Sequence, residues 1–423
     1  MPEIKPFCAL RYDAGKVRIA DVVAPPYDVI SPDHQTQLYD RSRYNVVRLI
    51  LGREEDRYTE ARTSLLAWKE EQILTRDETE AIYFLTQSFV GPDGISHTRR
   101  GFIAVCRVEE FQTGAVLPHE KTLSKPKEDR LKLAQAARTN LSQIFSIYSD
   151  PENKMGELLD RGITGAPLIE VEYEGVLNRL WRSADEPLIR DVMAAMKGRT
   201  VLIADGHHRY ETALAYRDLM RIKTGSGSDD APFSYTMMFF SSMDDRGLVV
   251  FPTHRLVHSL DGFDAGALMT GLGEHFDITP YGSRDSLLES LISRREFAYG
   301  VIERGGYHLA VLKDRRSLKS VIGSQIPPEV RELDVTLLHS YVLEDLLKIS
   351  HESQERKEHL EYVKNVEEAD EAVQSGRAQL AFLMNATKLE QIRRVAKAGH
   401  TMPQKSTFFY PKLLSGLLLY PLE

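Results

Sequence analysis

Apolar positions along the chain fall into two rhythms, short β-branched or aromatic runs and helical spacings among charges, and together these predict its elements. Residues 57–75 carry Leu65, Leu66, Trp68 and Ile73 among charged neighbours, a helical pattern. Residues 81–89 and 101–108 are strand-like runs separated by the turn sequence Gly91-Pro92-Asp93-Gly94, which predicts a hairpin. Residues 129–142 place Leu131, Leu133, Ala134 and Ala137 on one helical face. The run Val201-Leu202-Ile203-Ala204-Asp205 reads as a buried strand, followed by Gly206 and a helix over residues 207–221. Further on come a strand at 235–240, a hairpin of 297–301 with 307–312, and a Leu- and His-rich helix from Asp334. The chain closes with an acidic helix at 366–374, a strand at 379–384 and a helix at 389–397. Hairpins mixed with strand-to-helix units predict an α+β (mixed α/β) protein, not a single doubly wound sheet.

Breakers mark the organisation. Ala24-Pro25-Pro26-Tyr27-Asp28-Val29-Ile30-Ser31-Pro32 is extended and turn-rich, because each Pro fixes φ and drives its predecessor out of the helical region. Residues 224–230 are small and polar, the composition of a linker. They predict an N-terminal domain over 1–223 and a C-terminal α/β domain over 231–423 that completes the site. At roughly 150 residues per domain, 423 residues suit that division.

Charge and composition narrow the function classes. With 54 Lys and Arg against 62 Asp and Glu, the net charge is −8, which disfavours a DNA coat, since such affinity comes from cations on phosphates. Two cysteines, Cys8 and Cys106, are neither a disulfide scaffold nor a metal knuckle, and they suit a reducing cytoplasm. The apolar stretch at 413–422 is far shorter than the roughly 20 residues that span a bilayer. The expectation is a soluble, cytoplasmic protein with no membrane partner.

The positive minority is clustered. In Asp205-Gly206-His207-His208-Arg209 a strand delivers a carboxylate to a glycine turn, and a helix N-terminus follows, a ready anion site. Arg209 adds a bidentate donor, and His207 or His208 adds a donor or a proton shuttle. Asp205 suits Mg²⁺ ligation, proton acceptance, or simple capping of the helix. In residues 118–130, His119 and Glu120 make an acid/base pair by composition. Lys121, Lys125, Lys127 and Arg130 are interleaved there with Thr122 and Ser124, the mixture that phosphate oxygens use, although a solvated charged loop has the same composition. Residues 400–412 contain Lys405-Ser406-Thr407, the tail of a phosphate loop without its glycines, followed by the packing residues Phe408, Phe409 and Tyr410. Tyr27, Asp28, His254 and Arg255 are further candidates in Pro-rich turns. No dinucleotide fingerprint, nucleophile elbow, zinc helix or Cys-X-X-Cys pair is present.

Taken together, Pro25-Pro26-Tyr27-Asp28, His119-Glu120-Lys121-Thr122, Asp129-Arg130, Asp205-Gly206-His207-His208-Arg209-Tyr210, Pro252-Thr253-His254-Arg255 and Met402-Pro403-Gln404-Lys405-Ser406-Thr407 resemble the bacterial and archaeal family catalogued as domain of unknown function 1015. The resemblance implies a ParB/sulfiredoxin-like nucleotide-binding core related to free-serine kinases through the Asp-Gly-His-His-Arg box. Carried over, it puts phosphate contacts at Gly206, His207, His208 and Arg209, with Asp205 near the metal or the acceptor hydroxyl. The remaining catalytic positions of those kinases do not map by motif.

The expected function is a phosphotransferase acting between ATP, ADP or another donor and a small hydroxy metabolite, L-serine and O-phosphoserine first, with Mg²⁺. Asp205, Glu120, His119 and His208 are the candidate catalytic groups. Gly206, His207, Arg209, Lys121, Arg130, Lys405, Ser406 and Thr407 are the candidate phosphate contacts. A ParB-like nucleotide-binding regulator acting on DNA or a protein, and a phosphate-ester hydrolase, are the alternatives. A homodimer is compatible with all three.

Overall fold

In the computed structural model, residues 2–91, 94–120, 124–225, 229–294 and 296–423 are described, with every side chain among them except those of Ser124, Lys125, Pro126 and Glu355. The chain forms two units: residues 1–118, 122–249 and 409–423 make unit 1, and residues 119–121 with 250–408 make unit 2.

Among the described residues the main sheet of unit 1 has nine strands: β1 (Ile4–Lys5), β2 (Ile82–Val90), β3 (Ser96–Arg107), β4 (Val116–Leu117), β5 (Ile144–Tyr148), β6 (Ile169–Tyr173), β7 (Val176–Ser183), β8 (Val201–Asp205) and β9 (Tyr235–Ser242). The sheet order is β4-β8-β5-β9-β3-β2-β7-β6, with β1 paired to β3. β2 and β3 form the expected antiparallel hairpin, while the β8–β4 and β9–β5 pairs are parallel. Buried Phe84, Phe102, Trp181, Ile203 and Phe240 lie in the core. Around the sheet run α1 (Arg57–Glu70), α2 (Ser124–Ala137), α3 (Lys154–Gly162), α4 (Glu186–Met196) and α5 (His207–Thr224). Both α1 and α2 stop short of their predicted ends, because Gln72 and Arg138 adopt left-handed φ of 56° and 47°.

Unit 2 is a six-stranded antiparallel sheet of β10 (His254–Val257), β11 (Phe276–Tyr281), β12 (Ala298–Glu303), β13 (Gly306–Leu312), β14 (Leu360–Val363) and β15 (Leu380–Met384), ordered β11-β13-β12-β15-β10-β14. Leu287 and Leu291 of α6 (Arg284–Ser293) and Ala369, Ala372 and Val373 of α7 (Val366–Gln374) complete its core. The helix expected from Asp334 starts as α-helix over Asp334–Leu337 and continues as a π-helix over Leu338–Leu346. The architecture is α+β.

The division differs from the expected 1–223 and 231–423. The polar stretch at 224–230, of which 226–228 lie outside the described residues, does not divide the two units, because β9 beyond it pairs with β3 and β5 of unit 1. The C-terminal leucines also belong to unit 1. The Leu419 N–H donates to the Leu10 carbonyl at 2.8 Å and that of Ser415 to Ala24 at 2.8 Å, and Leu417, Leu418 and Leu419 are buried.

Candidate functional site

In unit 1 the residues of β8 up to Ala204 are buried, so the strand is fixed and Asp205 emerges at its end. Gly206 follows with φ 93°, a left-handed conformation that favours glycine. A Cβ there would come within 2.7 Å of the Arg209 guanidinium, so the turn also needs the missing side chain to admit that group. The 18-residue helix α5 then begins at His207.

Asp205 is held from both sides. Its Oδ2 accepts from Arg209 Nη2 at 2.8 Å, and its Oδ1 accepts from Lys412 Nζ. Arg209 Nη1 donates to Ser142 Oγ at 3.1 Å and to the Gln143 carbonyl. Arg130 lies with its guanidinium 4.1 Å from the centre of the Tyr27 ring and donates to the Ile50 carbonyl at 2.6 Å and to Asp129 Oδ2 at 2.7 Å. Asp129 in turn accepts from Tyr58 at 2.7 Å and Arg57 at 2.6 Å. Arg130, Arg209, Tyr27, Ser142 and Thr212 line one cavity of about 70 Å³. Burial, then Asp28, pushes the Tyr27 hydroxyl up to about 12 against the pull of both arginines.

The other predicted residues of unit 1 are nearby in sequence but engaged differently. Nδ1 of His208 lies 3.9 Å from Glu211, whose other oxygen takes Lys127 at 2.8 Å. His207 is half-buried in the first turn of α5, and Asp28 is exposed in the turn Tyr27–Val29. Lys121 lies outside the described residues. Lys412 closes the basic segment 400–412, but no spacing there singles it out.

A second cluster belongs to unit 2. His119, 1% exposed, has Nε2 2.7 Å from Thr407 Oγ1 and 3.4 Å from Glu120 Oε1. Thr407 donates from both its backbone N–H, at 2.9 Å, and its hydroxyl, at 2.8 Å, to Glu120 Oε1. The Lys405 N–H reaches Oε2 at 3.2 Å, and Ser406 Oγ donates to the Pro403 carbonyl at 2.6 Å. The hydroxyls of Ser406 and Thr407 are therefore bound within the protein, and Glu120 fastens the 405–407 turn. The Lys405 side chain is exposed. His254 and Arg255 are buried on β10. Burial, then Arg255, lowers His254 to about 4, and its Nδ1 accepts from the Met384 N–H at 3.2 Å. Arg255 donates to His339 Nε2 at 3.3 Å and to the carbonyls of Thr253 and Lys405.

Magnesium at Asp205 does not fit this donor set, since each carboxylate oxygen already meets a cation. Among the described residues, no group of three or more His, Cys, Asp or Glu side chains is placed to hold a metal ion. Nor, among them, is any helix long and apolar enough to cross a membrane.

The family described as "Protein of unknown function (DUF1015)" matches residues 4–336. The chain belongs to the DUF1015 family. No curated protein matches it. Among solved structures, this DUF1015 member is similar to a conserved hypothetical protein from Pyrococcus furiosus, with 14% identity and TM-score 0.34 over 72% of this chain and 92% of that one. It is similar to a free serine kinase in complex with AMP, with 15% identity and TM-score 0.34 over 72% and 89% of the two chains. It is similar also to SbnI with C-terminal truncation from Staphylococcus aureus, with 10% identity and TM-score 0.36 over 76% and 87%.

Proposed function

We propose that this protein binds a phosphate-bearing ligand in unit 1 and is a phosphotransferase, moving a phosphoryl group between ATP or ADP and a small hydroxy metabolite. L-serine and O-phosphoserine are the first pair to test. The observation that supports this reading is the 70 Å³ cavity whose lining includes both Arg130 and Arg209. At about 30 Å³ per water, that space has the scale of one phosphoryl group, and a nucleoside would extend beyond it.

Both guanidiniums are held before any ligand arrives, Arg209 by Ser142, Gln143 and Asp205, and Arg130 by Tyr27, Asp129 and Ile50. Phosphoryl transfer relies on positioning and on stabilising charge spread over three oxygens, so pre-oriented forks are the required equipment. The positive end of the helix dipole at His207 adds to the same field. In this reading Asp205 orients Arg209 and Lys412, and no step passes through a metal at its oxygens.

The test is calorimetric titration with ATP, ADP, AMP, O-phosphoserine and orthophosphate against the wild type and Arg209→Lys, which keeps the charge and loses the fork. At least about tenfold weaker binding in the variant is expected, roughly 1.4 kcal/mol. Phosphorus NMR with L-serine then identifies the product, and release of orthophosphate alone would make the protein a hydrolase. If no phosphate compound binds the wild type, the reading is abandoned.

A further inference from the structure

Unit 2 contains a cavity of about 720 Å³, within the range of roughly 300–1,000 Å³ typical of ligand sites. One wall is the π-helix Leu338–Leu346, which contributes His339, Ser340, Glu344 and Asp345. The Leu347 N–H reaches the Val342 carbonyl at 3.0 Å, the wider i+5 bond of that form. Such segments concentrate at functional sites, since they are costly to keep for packing alone. Val321, Ile322, Ile326, Pro327 and Val330 supply an apolar side.

Among the described residues of the lining, the carboxylates Glu344 and Asp345 stand with no Lys or Arg, beside the histidines His339, His351 and His400. His339 adds no positive charge: Arg255 Nε donates to its Nε2 at 3.3 Å, so the imidazole is neutral with its proton on Nδ1. Burial first and then Arg255 hold its pKa well below the ordinary value. Gln354 is hydrogen-bonded to His339 and passes the arrangement on, its Nε2 donating to Glu344 Oε1 at 3.3 Å and to the Ile349 carbonyl at 3.0 Å. A buried arginine thus orients, through a histidine and an amide, one carboxylate of the cavity wall.

A separate observation points to an occupant. Thr336 lines this cavity at 3% exposure, and its hydroxyl has no hydrogen-bond partner among the described residues. A hydroxyl buried without a partner is costly, and a ligand that donates a hydrogen bond to it removes that cost.

We propose that the unit 2 cavity is a binding site for a small organic cation, an amine or guanidine on an apolar chain. Its positive group meets Glu344 and Asp345, and its chain packs on Val321, Ile326 and Val330. The site is independent of the phosphate reading.

The test is calorimetric titration of the full chain with agmatine and putrescine, using butanediol and succinate as the neutral and anionic counterparts of putrescine. Both amines are expected to bind, butanediol at least about tenfold more weakly than putrescine, and succinate not at all. Glu344→Gln should weaken amine binding at least about tenfold, and Asp345→Asn supplies a second variant if the first melts early. Arg209→Lys should leave amine binding unchanged, whatever it does to phosphate binding. The proposal is overturned by binding of neither amine, by succinate binding as well as putrescine, or by full amine affinity in both carboxylate variants. Loss of amine binding in Arg209→Lys would overturn it as well.

Discussion

Lys412 and Asp205, 207 positions apart in the sequence, form an ion pair at the start of helix α5. The pair is largely sheltered, with side chains 17% and 16% exposed, and it shares its carboxylate with Arg209. One anion therefore organises two cations beside the same glycine turn.

Lys412→Met is expected to destabilise the protein by about 1–3 kcal/mol in urea unfolding, because Asp205 keeps a single cation in a partly desolvated place. Asp205→Asn should cost at least as much, since Arg209 and Lys412 would then meet without the carboxylate. Combining the two should cost less than the sum of the singles. Simple additivity would mean that the pair contributes nothing.

Gly206→Ala forces a side chain into left-handed backbone, at about 1–2 kcal/mol, and presses its Cβ on Arg209. Phosphate-ligand affinity should fall further than stability does, by at least about tenfold. A variant that binds normally after losing stability would show that the Arg209 position is not set by this turn.

Thr407→Val removes the hydroxyl shared between His119 and Glu120 while keeping the shape. Loss of about 1–3 kcal/mol of stability is expected, with phosphate-ligand binding in unit 1 unchanged, as measured by denaturation and calorimetry side by side. A collapse of ligand binding at full stability would instead give the hydroxyl a direct part in the chemistry.

The pH profile of unit 2 should carry two opposed contributions. Burial pushes Asp334 up to about 6, above the roughly 3.9 of an unfolded aspartate. Between those values the folded state holds the proton, so this stabilisation is complete at low pH and is lost as pH rises through 6. His254, lowered to about 4 from roughly 6.5, runs the other way. Its stabilisation is present above 6.5 and is lost as pH falls through 4. Asp334→Asn should therefore leave stability rising with pH between 4 and 6, and His254→Asn should leave it falling, each by something of order 2 kcal/mol. Parallel profiles in the two variants would contradict both assignments.

Local features of the site were legible in the sequence. The strand into Asp205, the glycine turn and helix α5 follow from an apolar run, a breaker and a helical spacing, all within about twenty residues. The helix at Leu389–Lys397 stands where its periodicity puts it. What was not legible depends on distant pairing. The polar stretch at 224–230 has the composition of a linker, yet β9 beyond it is an interior strand of the unit 1 sheet, and composition carries no information about partners. Lys412 lacks any motif, because its role comes from where the buried leucines after it dock. The three basic segments likewise looked alike in sequence. In the structure Arg130 and Arg209 share a cavity, whereas the Ser406 and Thr407 hydroxyls are spent on holding their own turn.

The return of residues 409–423 to unit 1 also sets an order of events during synthesis. Everything in unit 2 beyond residue 249 leaves the ribosome before the segment that pairs with Leu10 and Ala24 exists. At about 5–20 residues per second, the 250–408 stretch imposes a wait of roughly 8–30 s. During that time the backbone of Leu10 and Ala24 waits without these partners, and a chaperone or an aggregating neighbour would find it there.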